Sequence, residues 1–409
     1  MDRDAAYRLL GDCFAAGLEA VDPERCVAEH LDPVTVGPNP TVLALGKAAP
    51  AMARGAARAL GVKQLDGVVV SNHAAATPDG LELILGNHPV PGEGSLAGGR
   101  ALLNAADRLG EGDVALVLIS GGGSAIAELP VAGVTLRDIA ATNDLLLRCG
   151  ADIEQTNTIR RRLSSLKAGG LAAAISPARL VTLVISDVVG DSLQTIASGP
   201  TVAGSDRPES ALEVVEALDI AEQLPPAVMK VLGEVTGSPF RAPDQVIKVI
   251  AGGSVAAHAA AASARQQGFP AAVIDTRLVG EASLAAAEAL DRRRGSVSVY
   301  AGETTVNVTG DGIGGRNHEA ALTAATLLEG RSGLFFLAAG TDGIDGSTDA
   351  AGAIADGTTL HRARAQGLSA AEALGNNDSG NFFAALGDQV ITGPTGTNVG
   401  DLWIVFHAA

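Results

Sequence analysis

Short apolar runs that stop at glycine or a polar residue, each followed by an alanine-rich stretch, constrain this chain more than any other feature. Thr41–Leu45, Gly67–Ser71, Val114–Ser120 and Leu180–Ser186 are such runs, and Val246–Ala251 and Leu334–Ala339 repeat the pattern. Continuous apolar runs suit strands covered on both faces, as parallel strands joined by crossover helices are. The expected fold class is α/β with a mostly parallel sheet. At 409 residues the chain exceeds one ordinary core. Proline and glycine break the periodicity at Gly237–Pro243, which predicts domains at residues 1–240 and 241–409. Ser296–Ala301 and Thr304–Thr309 alternate around Gly302 and Glu303 and predict a hairpin, with a helix over Asn317–Glu329.

The chain carries 29 basic and 46 acidic residues, a net charge of −17. Such a surface repels phosphate backbones, and aromatic residues at 3% leave few stacking platforms. Nucleic acid and anionic membrane are therefore not expected partners. The same field opposes a small anionic substrate, so each glycine-flanked lysine or arginine is informative. No run approaches the roughly 18 apolar residues of a membrane span. The opening MDRDAAYRLLGDCF has no secretory core, and Cys13, Cys26 and Cys149 have no metal spacing. A soluble, cytoplasmic protein with reduced thiols is expected.

In open α/β sheets ligands sit beyond the carboxyl ends of strands, so the residues that follow each run carry the functional reading. Lys47 follows Gly46 where a strand gives way to a helix, a place that suits an anion or a solvated lysine equally. Gly121, Gly122, Gly123 and Ser124 follow the Val114 run and read as a nest of amides for an oxygen-rich ligand in preference to a bare strand-to-helix turn. Asp187 and Asp191 follow the Leu180 run and suit Mg²⁺, proton acceptance from a hydroxyl, or loop capping. Asp342, in GTDGIDG, is a further metal or hydroxyl ligand, and Thr395, Thr397 and Asn398 form a hydroxyl-rich loop with the same readings. His88, in NHPVP, is the histidine placed to serve a site or a turn. Gly314 and Gly315 precede Arg316 and Asn317 at a helix start, where glycine permits close approach and the guanidinium offers a fork for carboxylate or phosphate. The likeness of this segment to a dinucleotide fingerprint is weak, since a hairpin is expected ahead of it.

Together, ALGKAAPAM, GNHPVPGEGS, LISGGGSAIAELP, NTIRRRLSSLKAGGLA, ISDVVGDSLQTIASGPT, AGETTVNVTGDGIGGRNHEAAL, GTDGIDGSTDAAGA and TGPTGTNVGDL, in one order over residues 45 to 402, resemble the class II D-glycerate 2-kinase family, whose C-terminal part is the MOFRL domain. The resemblance implies two α/β domains, the first Rossmann-like, with an active site in a cleft between them. It implies ATP-dependent phosphorylation of D-glycerate with Mg²⁺, and it admits a homodimer. Lys47 and Arg316 match the family's active-site lysine and arginine. With Asp187 they form the expected catalytic set; the nest, His88, Gly314, Gly315, Asn317, Thr395, Thr397 and Asn398 form the expected substrate or phosphate site, and Asp191 and Asp342 the expected metal ligands. Gly92 stands where relatives usually carry Asp, Gly380 where they carry Tyr, Ala168 for a common Gly and His318 for a common Gln. If the first two line the pocket, a four-carbon hydroxy acid would fit. A hydroxypyruvate reductase and a nonenzymatic carboxylate sensor are the other readings.

Overall fold

The computed structural model describes residues 2–204, 210–234, 243–290 and 294–408. The expected runs form strands at Thr41–Leu45 (β1), Gln64–Ser71 (β2), Val114–Ile119 (β4), Arg179–Ile185 (β5) and Gln245–Ala251 (β6), joined by Asp79–Leu85 (β3). They lie in the order β3-β2-β1-β4-β5-β6. The β1–β2, β2–β3, β1–β4 and β4–β5 pairs are parallel. Leu43, Leu116 and Leu118 are fully buried, as strands covered on both faces require. Strand order reverses between β1 and β4, so the crevice beyond their carboxyl ends is where such a sheet receives ligands.

A second sheet contains Ala271–Leu278 (β7), Ser296–Gly302 (β8), Leu334–Gly340 (β9), Gly352–Asp356 (β10), Gln389–Val390 (β11) and Asp401–His407 (β12). Its order is β11-β10-β9-β12-β8-β7. Only β7–β8 is parallel; β8–β12, β12–β9, β9–β10 and β10–β11 are antiparallel. Buried Phe336, Trp403 and Phe383 pack with the alanine face of helix Arg316–Leu328.

The expected hairpin does not form. β8 pairs with β7 and β12, and Thr304–Thr309 makes only a bridge from Thr305 to Glu281. The competing partner is the apolar run of β12, which buries both faces where Thr304–Thr309 would cover one.

Contacts divide the chain into one unit of Pro23–Ile185 and Asp191–Ile250, and another of Met1–Asp22, Ser186–Gly190 and Ala251–Ala409. Helix Arg3–Ala20 thus joins the C-terminal unit, unlike the expected division at residue 240. Its buried stripe of Leu9, Leu10, Cys13 and Phe14 explains why, and at Gly17 a side chain would meet Leu402 at 2.8 Å. Residues 237–242 of the expected boundary lie outside those described. No described helix is long and apolar enough to cross a membrane.

Candidate active site

In the first unit, the chain turns sharply after β1 at Gly46–Ala48 before helix Ala49–Leu60. Gly46 has φ +121°, and a Cβ there would lie 2.3 Å from Ser120 Oγ. Glycine therefore lets the turns after β1 and β4 touch. The Lys47 amide donates to Gly121 O at 2.9 Å, and the Ala48 amide donates to Ser120 Oγ at 3.0 Å. Gly122 has φ +79°, and a side chain on it would press on the His88 ring at 3.2 Å. Burial, and then the Lys47 charge, holds the His88 pKa below the usual imidazole value. Lys47, His88 and the Gly121–Ser124 nest are thereby gathered at the switch point of the parallel sheet.

Among the described residues the amides of Gly121, Gly122, Gly123 and Ser124 donate to no backbone acceptor. Ser124 Oγ shares a 2.8 Å hydrogen bond with Ser198 Oγ, and Ser198 also donates to Asn157 at 3.4 Å. Ser198 lies in a left-handed run, Ala197, Ser198 and Gly199, with φ of 50°, 60° and 67°. Amides of Ala168 and Gly169 hold that run by donating to Ser198 O and Gly199 O at 3.0 and 2.8 Å. Left-handed non-glycine residues cost roughly 1–2 kcal/mol each and cluster at ligand sites. Next to Ala168, buried Lys167 is paired with buried Glu128, which also accepts from Ser164. Sequence reasoning did not single out Ser198, Asn157, Lys167 or Glu128. The glycines and proline beside them, in SGP and KAGG, were the available signal.

The second unit holds Arg316 at the wall of a cavity of about 640 Å³, lined also by Thr304, Gly314, Gly315, Glu319, Asp342 and Asp345. Arg316 Nε donates to Asp401 at 2.8 Å and Nη2 at 3.0 Å, while Nη1 lies 3.0 Å from Glu303. Burial works against its charge, yet Asp401 and Glu303 outweigh burial and raise its pKa. Burial pushes the Asp401 and Glu303 carboxyls up, with Arg316 opposing in both.

The close approach that the glycines permit is made by the chain's own residues. A Cβ on Gly315 would lie 2.5 Å from the Asp345 carboxylate, one on Gly314 2.7 Å from Ser379 Oγ, and one on Gly310 2.4 Å from Asn376 O. Asp345 accepts the amides of Asn317 and His318, so an internal carboxylate caps the helix start where an external anion was expected. Asn317 is 1% exposed. It donates to Asp345 and Asp401 and accepts from Trp403, so it positions the network instead of facing a ligand.

Other expected residues are likewise committed. Thr395 donates to Thr341 O, Thr397 to Val21 O, and Asn398 accepts the Gly400 amide, so this loop's polar groups brace it. Asp342 accepts the Ile344 amide in a local turn. Asp187 and Asp191 fall in different units; Asp187 belongs with Glu303 and helps to raise its pKa. Neither Gly92 nor Gly380 vacates space: a Cβ would meet Asn87 at 2.6 Å in one case and Ile313 O at 2.7 Å in the other. Among the described residues, neither glycine leaves open space where a side chain would stand.

Among the described residues no three His, Cys, Asp or Glu side chains gather to hold a metal. Magnesium carried on a nucleotide asks less, one or two protein carboxylates with phosphate and water completing the shell. Asp187 or Asp191, each half-buried after β5, meets that requirement singly.

Residues 9–233 match a domain of unknown function, DUF4147, and residues 296–401 match the MOFRL family. The chain is 40% identical to the D-glycerate 2-kinase of Thermotoga maritima over 98% of this chain and 99% of that one. It is 39% identical to a putative hydroxypyruvate reductase of Agrobacterium vitis, over 97% and 94% of the two chains. The crystal structure of the Thermotoga maritima glycerate kinase superposes with a TM-score of 0.91 at 38% identity, covering 99% of this chain and 100% of that one.

Proposed function

Because the chain belongs to the glycerate kinase family with a MOFRL domain, we propose that it transfers the γ-phosphoryl group of ATP to the C2 hydroxyl of D-glycerate, giving 2-phosphoglycerate. The observation that carries this reading is Lys47 beside four amides that, among the described residues, donate to no backbone acceptor, at the switch point of a parallel sheet. Converging amides and one ammonium suit the oxygens of a phosphate chain. Phosphoryl transfer depends on positioning and charge stabilisation, so such a cradle suffices without a covalent intermediate. Lys47 offsets charge growing on the transferred group, and Ser124, steadied by Ser198, orients its oxygens. Arg316 receives the glycerate carboxylate, and Asp187 or Asp191 orients the C2 hydroxyl or holds magnesium. Bound magnesium supplies neutralisation of the phosphate charge.

The hydroxypyruvate reductase reading needs a dinucleotide cradle. The glycines ahead of Arg316 do not offer one, because Asp345 already takes the helix's first amides and would repel a pyrophosphate. The deciding experiment incubates the protein with Mg-ATP and D-glycerate, follows ADP, and identifies the product by phosphorus NMR. In parallel, NADH and NADPH oxidation is followed with hydroxypyruvate. ADP and 2-phosphoglycerate are expected; nicotinamide oxidation without ADP would overturn the reading.

A further inference from the structure

The two carboxylates on Arg316 differ in their freedom to leave. The Asp401 side chain is fully buried and is also tied by Asn317 Nδ2 at 2.9 Å and the Thr304 amide at 3.2 Å. Removing it would strand those donors. The Glu303 side chain is 47% exposed, and among the described residues Arg316 alone pairs with its carboxylate. Asp401 and Asp187 both repel it. Beside this ion pair, Thr304 lines the cavity, and its buried Oγ1 has no hydrogen-bond partner among the described residues. The Arg316 end of the cavity thus holds one carboxylate that can leave and one that cannot.

We propose that Glu303 is an exchangeable counter-ion that pairs with Nη1 of Arg316 and yields it to the carboxylate of an incoming substrate. The identity of that substrate rests on the kinase reading; the exchange itself does not. Asp401 takes Nε–H and one Nη2–H of the guanidinium, so a ligand that displaces Glu303 meets its Nη1 edge. Carboxylates of Asp187 and the displaced Glu303 near that edge favour a singly charged acid over a multiply charged one. The phosphorylated product carries more negative charge than glycerate, so the return of Glu303 to Arg316 promotes its release.

The test compares wild type with Glu303→Gln, which keeps the shape and removes the charge. Calorimetry in the absence of nucleotide measures binding of D-glycerate and, separately, of inorganic phosphate. Removing competition from a half-exposed ion pair should tighten binding of at least one of them by roughly two- to fivefold. In steady-state assays KM for glycerate should fall by a similar factor, and the inhibition constant of 2-phosphoglycerate should fall at least as much. Equal or weaker binding of both anions overturns the proposal, whatever turnover shows, because Glu303 would then be a bystander or an aid to binding. A wild-type protein that makes no ADP from glycerate overturns the kinase reading instead, and leaves the calorimetric comparison to decide the exchange.

Discussion

The carboxylate of Asp345 sits on the first turn of helix Arg316–Leu328, accepting the backbone amide of His318 at 2.8 Å and lying 2.6 Å from its Nδ1. Both residues are buried, and Gly315 lacks a side chain where the carboxylate passes. The polarity of the helix start is thereby spent internally, and what remains for a ligand is the guanidinium of Arg316.

Asp345→Ala should therefore weaken the fold. The substitution removes a helix cap, worth about 1 kcal/mol, and leaves buried donors on Asn317 and His318 unpaired at about 1–3 kcal/mol more. A loss of about 3 kcal/mol is expected in urea titrations. A variant with wild-type stability would show that solvent reaches this helix start and that the cap is dispensable.

Lys47 and His88 should be coupled in titration. Burial, and after it the nearby ammonium, holds the imidazole pKa below its usual value. In Lys47→Ala the His88 pKa should rise, yet stay depressed because burial persists. Turnover should fall by about 10²–10³, as for loss of a transition-state charge partner. NMR of the histidine ring reads the first effect; an unmoved His88 would separate the two residues.

Much of this was legible in the sequence because buried parallel strands announce themselves as apolar runs. β1, β4 and β5 form within a residue or two of their expected ends, and the Lys47 turn and glycine nest lie directly after β1 and β4. The rest depends on partners distant in the chain. Nothing local to Thr304–Thr309 reveals that β12 takes the place beside β8. Glycines before Arg316 signal a close approach without saying whether a ligand or Asp345 makes it. Burial of Lys167 is invisible until Glu128 is brought beside it.

Ala168 offers a stability test. It has φ 49°, a conformation in which its Cβ is strained, and its amide holds the Ser198 turn. Ala168→Gly relieves roughly 1–2 kcal/mol of left-handed strain, offset by about 0.5–1 kcal/mol of extra unfolded-state entropy. A net gain of about 0.5–1 kcal/mol should appear as a higher urea midpoint with an unchanged slope. A lower midpoint would mean that the methyl group packs better than its backbone cost suggests.

The last expectation separates the structural from the functional part of Arg316. Truncation to alanine removes the pairing of Asp401, whose side chain is fully buried, so Arg316→Ala should lose activity and also about 3 kcal/mol of stability. Activity alone cannot then be credited to substrate contact. Asp401→Asn removes the buried charge while keeping an oxygen that can still accept from one of its two donors, Asn317 Nδ2 or the Thr304 amide. The double variant Arg316→Ala/Asp401→Asn should therefore recover part of the lost stability, a coupling of at least about 1 kcal/mol in a double-mutant cycle. Its turnover with glycerate should stay as low as that of Arg316→Ala, since no guanidinium remains to receive the carboxylate. Urea titration and steady-state kinetics on the four proteins supply the comparison. If activity returns together with stability, Arg316 serves the fold and not the substrate, and its place in the proposed mechanism is lost.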